Sequence, residues 1–210
     1  MKSFSIIREH EYAELKKIVL NGSILDLGGS RKSGYHELPQ GEHTWEVVNY
    51  GDMHPGADLL FDLEKVFPLE DASYKNVVSM NLLEHIFNYH NVFSEVSRVL
   101  VPGGLFVSAV PFMHHVHGSP NDYHRYTKST YERLAQMYNF EIVTMVPLGG
   151  GLFSLVYQSV GGWIPTDILK NIIKSMCTTL DRLCLYSKKY QKLRDRIPLG
   201  YFWVMKKKNI

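Results

Sequence analysis

Ile24-Leu25-Asp26-Leu27-Gly28-Gly29-Ser30 is an apolar run that carries one acid and ends in two glycines. A buried parallel strand that ends in a tight turn beneath a ligand has this composition. Glycine lacks a Cβ, so the backbone can turn sharply and approach a bound group closely. Around this stretch, apolar segments of strand length alternate with helical patterns. Strands are predicted at 24–27, 45–49, 59–61, 77–80, 105–110, 141–146 and 200–205. Helices are predicted over 9–20, 91–100 and 127–138. Val77 to Met80 is apolar on both faces, as a central parallel strand should be. Alternating strands and helices imply an α/β fold with a mostly parallel sheet and right-handed crossovers.

The first glycine turn is one of an ordered set of phrases. Asp62-Leu63-Glu64 follows, then Ser79-Met80-Asn81-Leu82-Leu83-Glu84-His85, then Leu100-Val101-Pro102-Gly103-Gly104-Leu105, in which the Pro-Gly-Gly breaks a helix and leads into strand five. Together, in this order, they resemble the class I methyltransferases that use S-adenosylmethionine. The resemblance covers residues 22–146, and Pro198 to Val204 resembles the family's closing strand. It implies a Rossmann-like fold: a seven-stranded, mostly parallel sheet, helices on both faces, and a last strand antiparallel to the rest.

The resemblance also assigns cofactor roles. Gly28, Gly29 and Ser30 would place backbone amides around the carboxypropyl end of S-adenosylmethionine, with Asp26 orienting its amino group. Ser30 stands where the family pattern has a second glycine. The end of strand two should carry an acid for the ribose hydroxyls. Here Asn49 occupies that region and Asp52 lies three residues on, so either would take the role. Asp62 and Leu63 fall at the adenine-edge position, although Asp62 is also a good helix cap. Asn81 sits at the carboxyl end of a central strand, where open sheets bind ligands. His85, one turn further on, would stand beside the transferable methyl.

A second unusual phrase runs from His114 to Thr127 and holds four histidines, two tyrosines, Asp122 and Arg125. It resembles a Pro-any-Asp-Tyr-any-Arg-Tyr-Thr phrase of methyltransferases found with bacterial surface-polysaccharide genes. His117, Asp122, Tyr123, Arg125 and Tyr126 are therefore candidates for binding a hydroxyl-rich acceptor. A plainer reading has Asp122 and Arg125 pair to pin the loop while Thr127 caps the next helix. His115, His117, Asp122 and His124 also have ligand chemistry suited to zinc or iron, but their spacing matches no tight metal motif, and no metal is assigned.

The implied reaction is transfer of a methyl group to an acceptor hydroxyl of a sugar or related metabolite. His85 or His124 is the candidate base, because imidazole titrates near working pH. A nicotinamide oxidoreductase is disfavoured: counting from Gly28, the later glycine positions hold Ser30 and Ser33. A non-catalytic methyltransferase-like module that binds a partner through its late helix is the alternative.

Composition sets the remaining bounds. A chain of 210 residues with 45% hydrophobic and 21% charged residues reads as one soluble domain over 1–210. A net charge of +2 gives no reason to expect nucleic acid. Cys177 and Cys184 lie seven apart on one helical segment, too far apart for a disulfide, which fits a reducing compartment. The apolar stretch after Met1 is too short for a signal peptide, so a cytoplasmic location is expected.

About fifty residues between strands six and seven exceed an ordinary connection. Residues 149–197 are expected to form a helical substrate-side insertion. Its helix, over 167–187, has Ile168, Leu169, Ile172, Ile173, Met176, Leu180, Leu183 and Cys184 on its apolar side. Packing on the domain is the favoured cover, with a second copy of the chain as another and a membrane surface less favoured.

Overall fold

A computed structural model describes residues 5–50, 56–118 and 120–209. Its core is a seven-stranded sheet in the order β3-β2-β1-β4-β5-β7-β6. The strands are β1 (Gly22–Leu27), β2 (His43–Asn49), β3 (Leu59–Leu60), β4 (Tyr74–Met80), β5 (Leu100–Pro111), β6 (Phe140–Leu148) and β7 (Gly200–Lys207). β1 to β5 pair in parallel, and β7 is inserted antiparallel between β5 and β6. This is the expected fold class.

Each face of the sheet carries its own apolar layer. On one side α2 (Tyr89–Val99) and α3 (Lys128–Met137) press Val92, Phe93, Val96 and Tyr131 against Phe106 and Trp203. On the other, α1 (Ile6–Leu15) places Ile6, Ile7 and Leu15 over Ile24, Val78, Val107 and Phe202. Side-chain caps start these helices: Ser5 Oγ accepts from Arg8 N at 3.3 Å, and Thr127 Oγ1 accepts from Thr130 N at 3.4 Å.

Several boundaries differ from the sequence reading for local reasons. The first helix starts at Ile6, at the Ser5 cap, and ends at Leu15. Pro102-Gly103-Gly104 lies inside β5, which begins at Leu100. The pairing with β4 shifts register there between Tyr74 and Asn76, and Gly103 adopts φ +77°. No helix joins β1 to β2. Residues 28–42 form successive turns instead, and Tyr35 and Leu38 fill the layer where a helix would sit.

Between β6 and β7 lie three helices: α4 (Leu152–Val160), α5 (Asp167–Cys184) and α6 (Lys188–Arg194). α4 lies in a stretch, residues 149–165, that carries no charged side chain. α5 differs more deeply from expectation. The fully buried side chains on it are Lys174 and Asp181, whereas Ile168, Ile172, Met176 and Leu183 face outward. Cys177 and Cys184 are both free thiols.

Candidate active site

At the carboxyl ends of β1 to β4 the backbone opens into a cavity of about 290 Å³. Open parallel sheets bind ligands at this position. Six residues singled out from the sequence line it: Gly28, Asn49, Asp62, Leu63, His85 and Tyr123. Tyr50, Glu64, Leu82, Ile86, Pro120 and Asn121 complete the wall. Leu82 lies within the His85 phrase and Ile86 directly follows it, and that adjacency was the available signal for them. Asp52 lies outside the described residues.

The glycine turn is built by packing. Gly28 has φ +74°, and a Cβ on it would stand 2.6 Å from Leu82 Cδ1, so a side chain there would push out a wall of the cavity. A Cβ on Gly29 would stand 1.8 Å from Asp26 Oδ2. Asp26 is fully buried, accepts from the Tyr35 hydroxyl at 2.8 and 3.0 Å, and lies 2.7 Å from His36 Nε2. This corrects the expected role of Asp26: its carboxylate anchors the turn region and does not open to the cavity. Burial pushes its carboxyl up in spite of these hydrogen bonds. Ser30 is likewise absorbed locally, its N–H donating to Ser33 Oγ at 3.0 Å. Asn49 donates through Nδ2 to the Gly29 carbonyl at 3.0 Å, tying the end of β2 to the turn.

Asp62 sits at the edge of the cavity and also serves its own turn. Its Oδ1 accepts from Glu64 N at 2.9 Å as a turn cap. Asn81, at the end of β4, is engaged by α1. Held at φ +52°, it donates Nδ2 to Glu11 Oε2 at 3.0 Å and so turns toward α1, away from the cavity.

A 3₁₀ turn over Leu83–His85 carries the chemistry-bearing pair. His85 Nδ1 lies 2.5 Å from the Asn121 carbonyl, which can only accept, so Nδ1 carries a proton, and in the neutral ring the lone pair is on Nε2. Nε2 faces Glu84 Oε1 at 3.7 Å. Glu84 is fully buried with neither carboxylate oxygen hydrogen-bonded, and burial pushes its carboxyl up to about 8. The His117 ring stands edge-on to His85, with centroids 5.1 Å apart. One ligand-capable atom from each of Glu84, His85 and His117 falls within 4.8 Å of the others.

The histidine-rich loop clamps this turn. Glu84 O accepts from Tyr123 N at 2.7 Å and His124 N at 3.2 Å, and the Tyr126 hydroxyl donates to Leu83 O at 2.9 Å. Asp122 binds Arg125 through two contacts of 2.5 and 2.6 Å and accepts from His117 N at 2.9 Å. The Arg125 guanidinium holds the Asp122 carboxyl well below the usual carboxylate range. Asp122 and Arg125 pair and pin the loop, and Tyr126 ties it to the 3₁₀ turn. His124 is outside the cavity lining: its Nε2 lies 3.2 Å from the Phe87 carbonyl, and its ring stacks on Phe87 and stands edge-on to Tyr89. Tyr123 is the member of the phrase that reaches the cavity.

Glu84 makes a pH-dependent prediction. Its carboxyl binds a proton more tightly in the folded chain than at its ordinary value of 4.5. Its contribution to stability is therefore fully present below the ordinary value and is lost as pH rises toward 8. Glu84→Gln keeps the shape and removes the ionisation, so its melting temperature should gain on the parent steadily from pH 5 to pH 8. Parallel melting curves across that range would refute the assignment.

Residues 47–108 match a family model described as a methyltransferase domain. No curated protein sequence matches the chain. Solved structures match it over nearly its full length. A Mesorhizobium loti S-adenosylmethionine-dependent methyltransferase aligns with TM-score 0.58 at 16% identity, covering 94% of this chain and 98% of that one. A Listeria monocytogenes protein assigned to the same class aligns with TM-score 0.58 at 13% identity, covering 96% of this chain and all of that one. A Haemonchus contortus phosphoethanolamine N-methyltransferase 2, bound to phosphomonomethylethanolamine and S-adenosylhomocysteine, aligns with TM-score 0.55 at 15% identity, covering 96% of this chain and 53% of that one. The fold is that of the class I S-adenosylmethionine-dependent methyltransferases, and the matched segment holds the cavity residues from Asn49 to Ile86.

Proposed function

We propose that this protein is an S-adenosylmethionine-dependent methyltransferase that modifies a hydroxyl of a saccharide or related metabolite in the cytoplasm. The observation that carries the reading is one cavity that joins the glycine turn, the ends of β2 and β3, and His85. The residues fit the cofactor: Gly28 leaves room that a Cβ would fill, Leu63, Leu82 and Ile86 offer apolar walls, and Asn49 and Asp62 offer polar edges. When bound, the cofactor supplies an electrophilic methyl on a sulfonium.

The chain's own work is to position and to deprotonate. The Asn121 carbonyl holds the His85 ring so that Nε2 presents a lone pair to the acceptor hydroxyl. With the cofactor bound, Nε2 would accept the hydroxyl proton as the oxygen takes the methyl, the sulfur–methyl bond breaks and S-adenosylhomocysteine leaves; the buried Glu84 carboxyl beside it sets the polarity of that pocket. Tyr123 and His117 flank the same end. The loop pinned by Asp122 and Arg125 supports a precise acceptor position, which is where much of the rate of a displacement comes from. Residues 149–197 are proposed as the substrate-side insertion. α4 supports this, since Leu155 and Gln158 share a cavity of about 310 Å³ with His114 and His115 at the start of the same loop.

Calorimetric titration with S-adenosylmethionine tests the reading. The wild type should bind, and Gly28→Val, which places a branched side chain against Leu82, should not. No heat from the wild type at millimolar cofactor would leave only the non-catalytic module. Metal analysis of the purified protein checks the base: stoichiometric divalent metal would make Glu84, His85 and His117 its ligands instead.

A further inference from the structure

α5 is attached to the domain by its polar residues. Lys174 Nζ donates to Glu9 Oε1 at 2.5 Å. Asp181 accepts from Phe153 N at 3.1 Å, from Ser154 N at 2.8 Å and from the Tyr190 hydroxyl. Ile173 and Cys177 also pack inward. The rest of the apolar stripe points to solvent. Ile168 is 75%, Met176 59% and Leu183 58% exposed, and Ile172 lies between them on the same face. Trp163, just before the helix, is 89% exposed, and Tyr186, just after it, is 92% exposed. A face of this size is costly to leave in water, and on soluble proteins it marks an interaction surface.

The charge of this part of the chain is one-sided. Residues 167–197 hold eight Lys and Arg against three Asp, a net +5, although the whole chain carries only +2. α6 supplies much of it. Between the end of α5 and α6 runs a groove of about 530 Å³ in which Cys184, Tyr190 and Leu193 lie beside Lys189, Lys192 and Arg196. A second copy seated on this face by two-fold symmetry would set two such +5 surfaces against each other, so the charge argues against self-association. An anionic lipid surface satisfies both features at once. Apolar side chains enter the acyl boundary, aromatic residues sit at headgroup level, and lysines meet the phosphates. Among the described residues no helix is long and apolar enough to cross a membrane, so the contact is with the surface.

We infer that the α5–α6 face docks this protein on anionic lipid bilayers, with α5 lying in the plane of the interface. The inference does not depend on the methyl-transfer reading. It is tested by co-sedimenting the full chain with phosphatidylcholine vesicles with and without phosphatidylglycerol. Binding is expected only with phosphatidylglycerol and should weaken as salt rises. Lys189→Glu and Lys192→Glu should each lower partitioning by about fivefold or more. Met176→Asp should lower it at least as much while circular dichroism and the melting temperature stay close to those of the parent, since the side chain is mostly exposed. A chain that stays in the supernatant with every vesicle overturns the inference. So does light scattering that shows a dimer which Met176→Asp converts to folded monomers, because the face would then be covered by a second copy.

Discussion

His85→Ala should lower methyl transfer by about a hundred- to ten-thousand-fold, the range that a positioned general base contributes. The lone pair on Nε2 is presented only because the Asn121 carbonyl takes the Nδ1 proton, so the loss belongs to the imidazole and not to the fold. S-adenosylmethionine affinity should be little changed, because the glycine turn, Asn49 and Leu63 are untouched. His124→Ala provides the contrast. Its ring is held by the Phe87 carbonyl and neighbouring aromatics outside the cavity lining, so its removal should act through the loop and lower turnover far less. Turnover is read as S-adenosylhomocysteine released with a panel of saccharide acceptors. Equal losses in the two variants would take the base role away from His85.

Gly29→Ala should destabilise the protein by about 3 kcal/mol, the scale of breaking a buried polar network. The added methyl would lie 1.8 Å from Asp26 Oδ2, and that carboxylate has nowhere to retreat: Tyr35 and His36 already hold it in a fully buried position. At this chain length the melting temperature should fall by roughly 10 °C. The cause can be isolated with a double-mutant cycle. Once Asp26 is replaced by Ala, the Gly29→Ala change should lose most of its effect, because the two share one contact. A Gly29→Ala protein that melts within a degree or two of the parent would show that the turn relaxes freely.

The fold was legible in the sequence because its signals are local. Each strand of the parallel core is a short apolar run, each turn has its glycine or cap, and the phrases follow in chain order. Half of the cavity wall was legible as well: Gly28, Asn49, Asp62, Leu63 and His85 follow strand ends in local phrases, and Tyr123 belongs to the histidine-rich phrase. The rest depends on which long-range partner takes a polar group. Asp26 and Asn81 occupy the expected backbone positions, yet Tyr35 and His36 claim one and Glu11 the other. Nothing within a few residues of either predicts those partners.

The late helix shows the same division from the opposite side. Its periodicity established that α5 is amphipathic, since spacing along one helix is a property of the chain alone. Which side faces the domain was decided by tertiary contacts. Glu9 waits for Lys174, and the first turn of α4 offers two backbone N–H groups that only Asp181 reaches. Burying unpaired polar groups costs more than exposing several apolar ones, so the polar side turned inward and left Ile168, Ile172, Met176 and Leu183 outside.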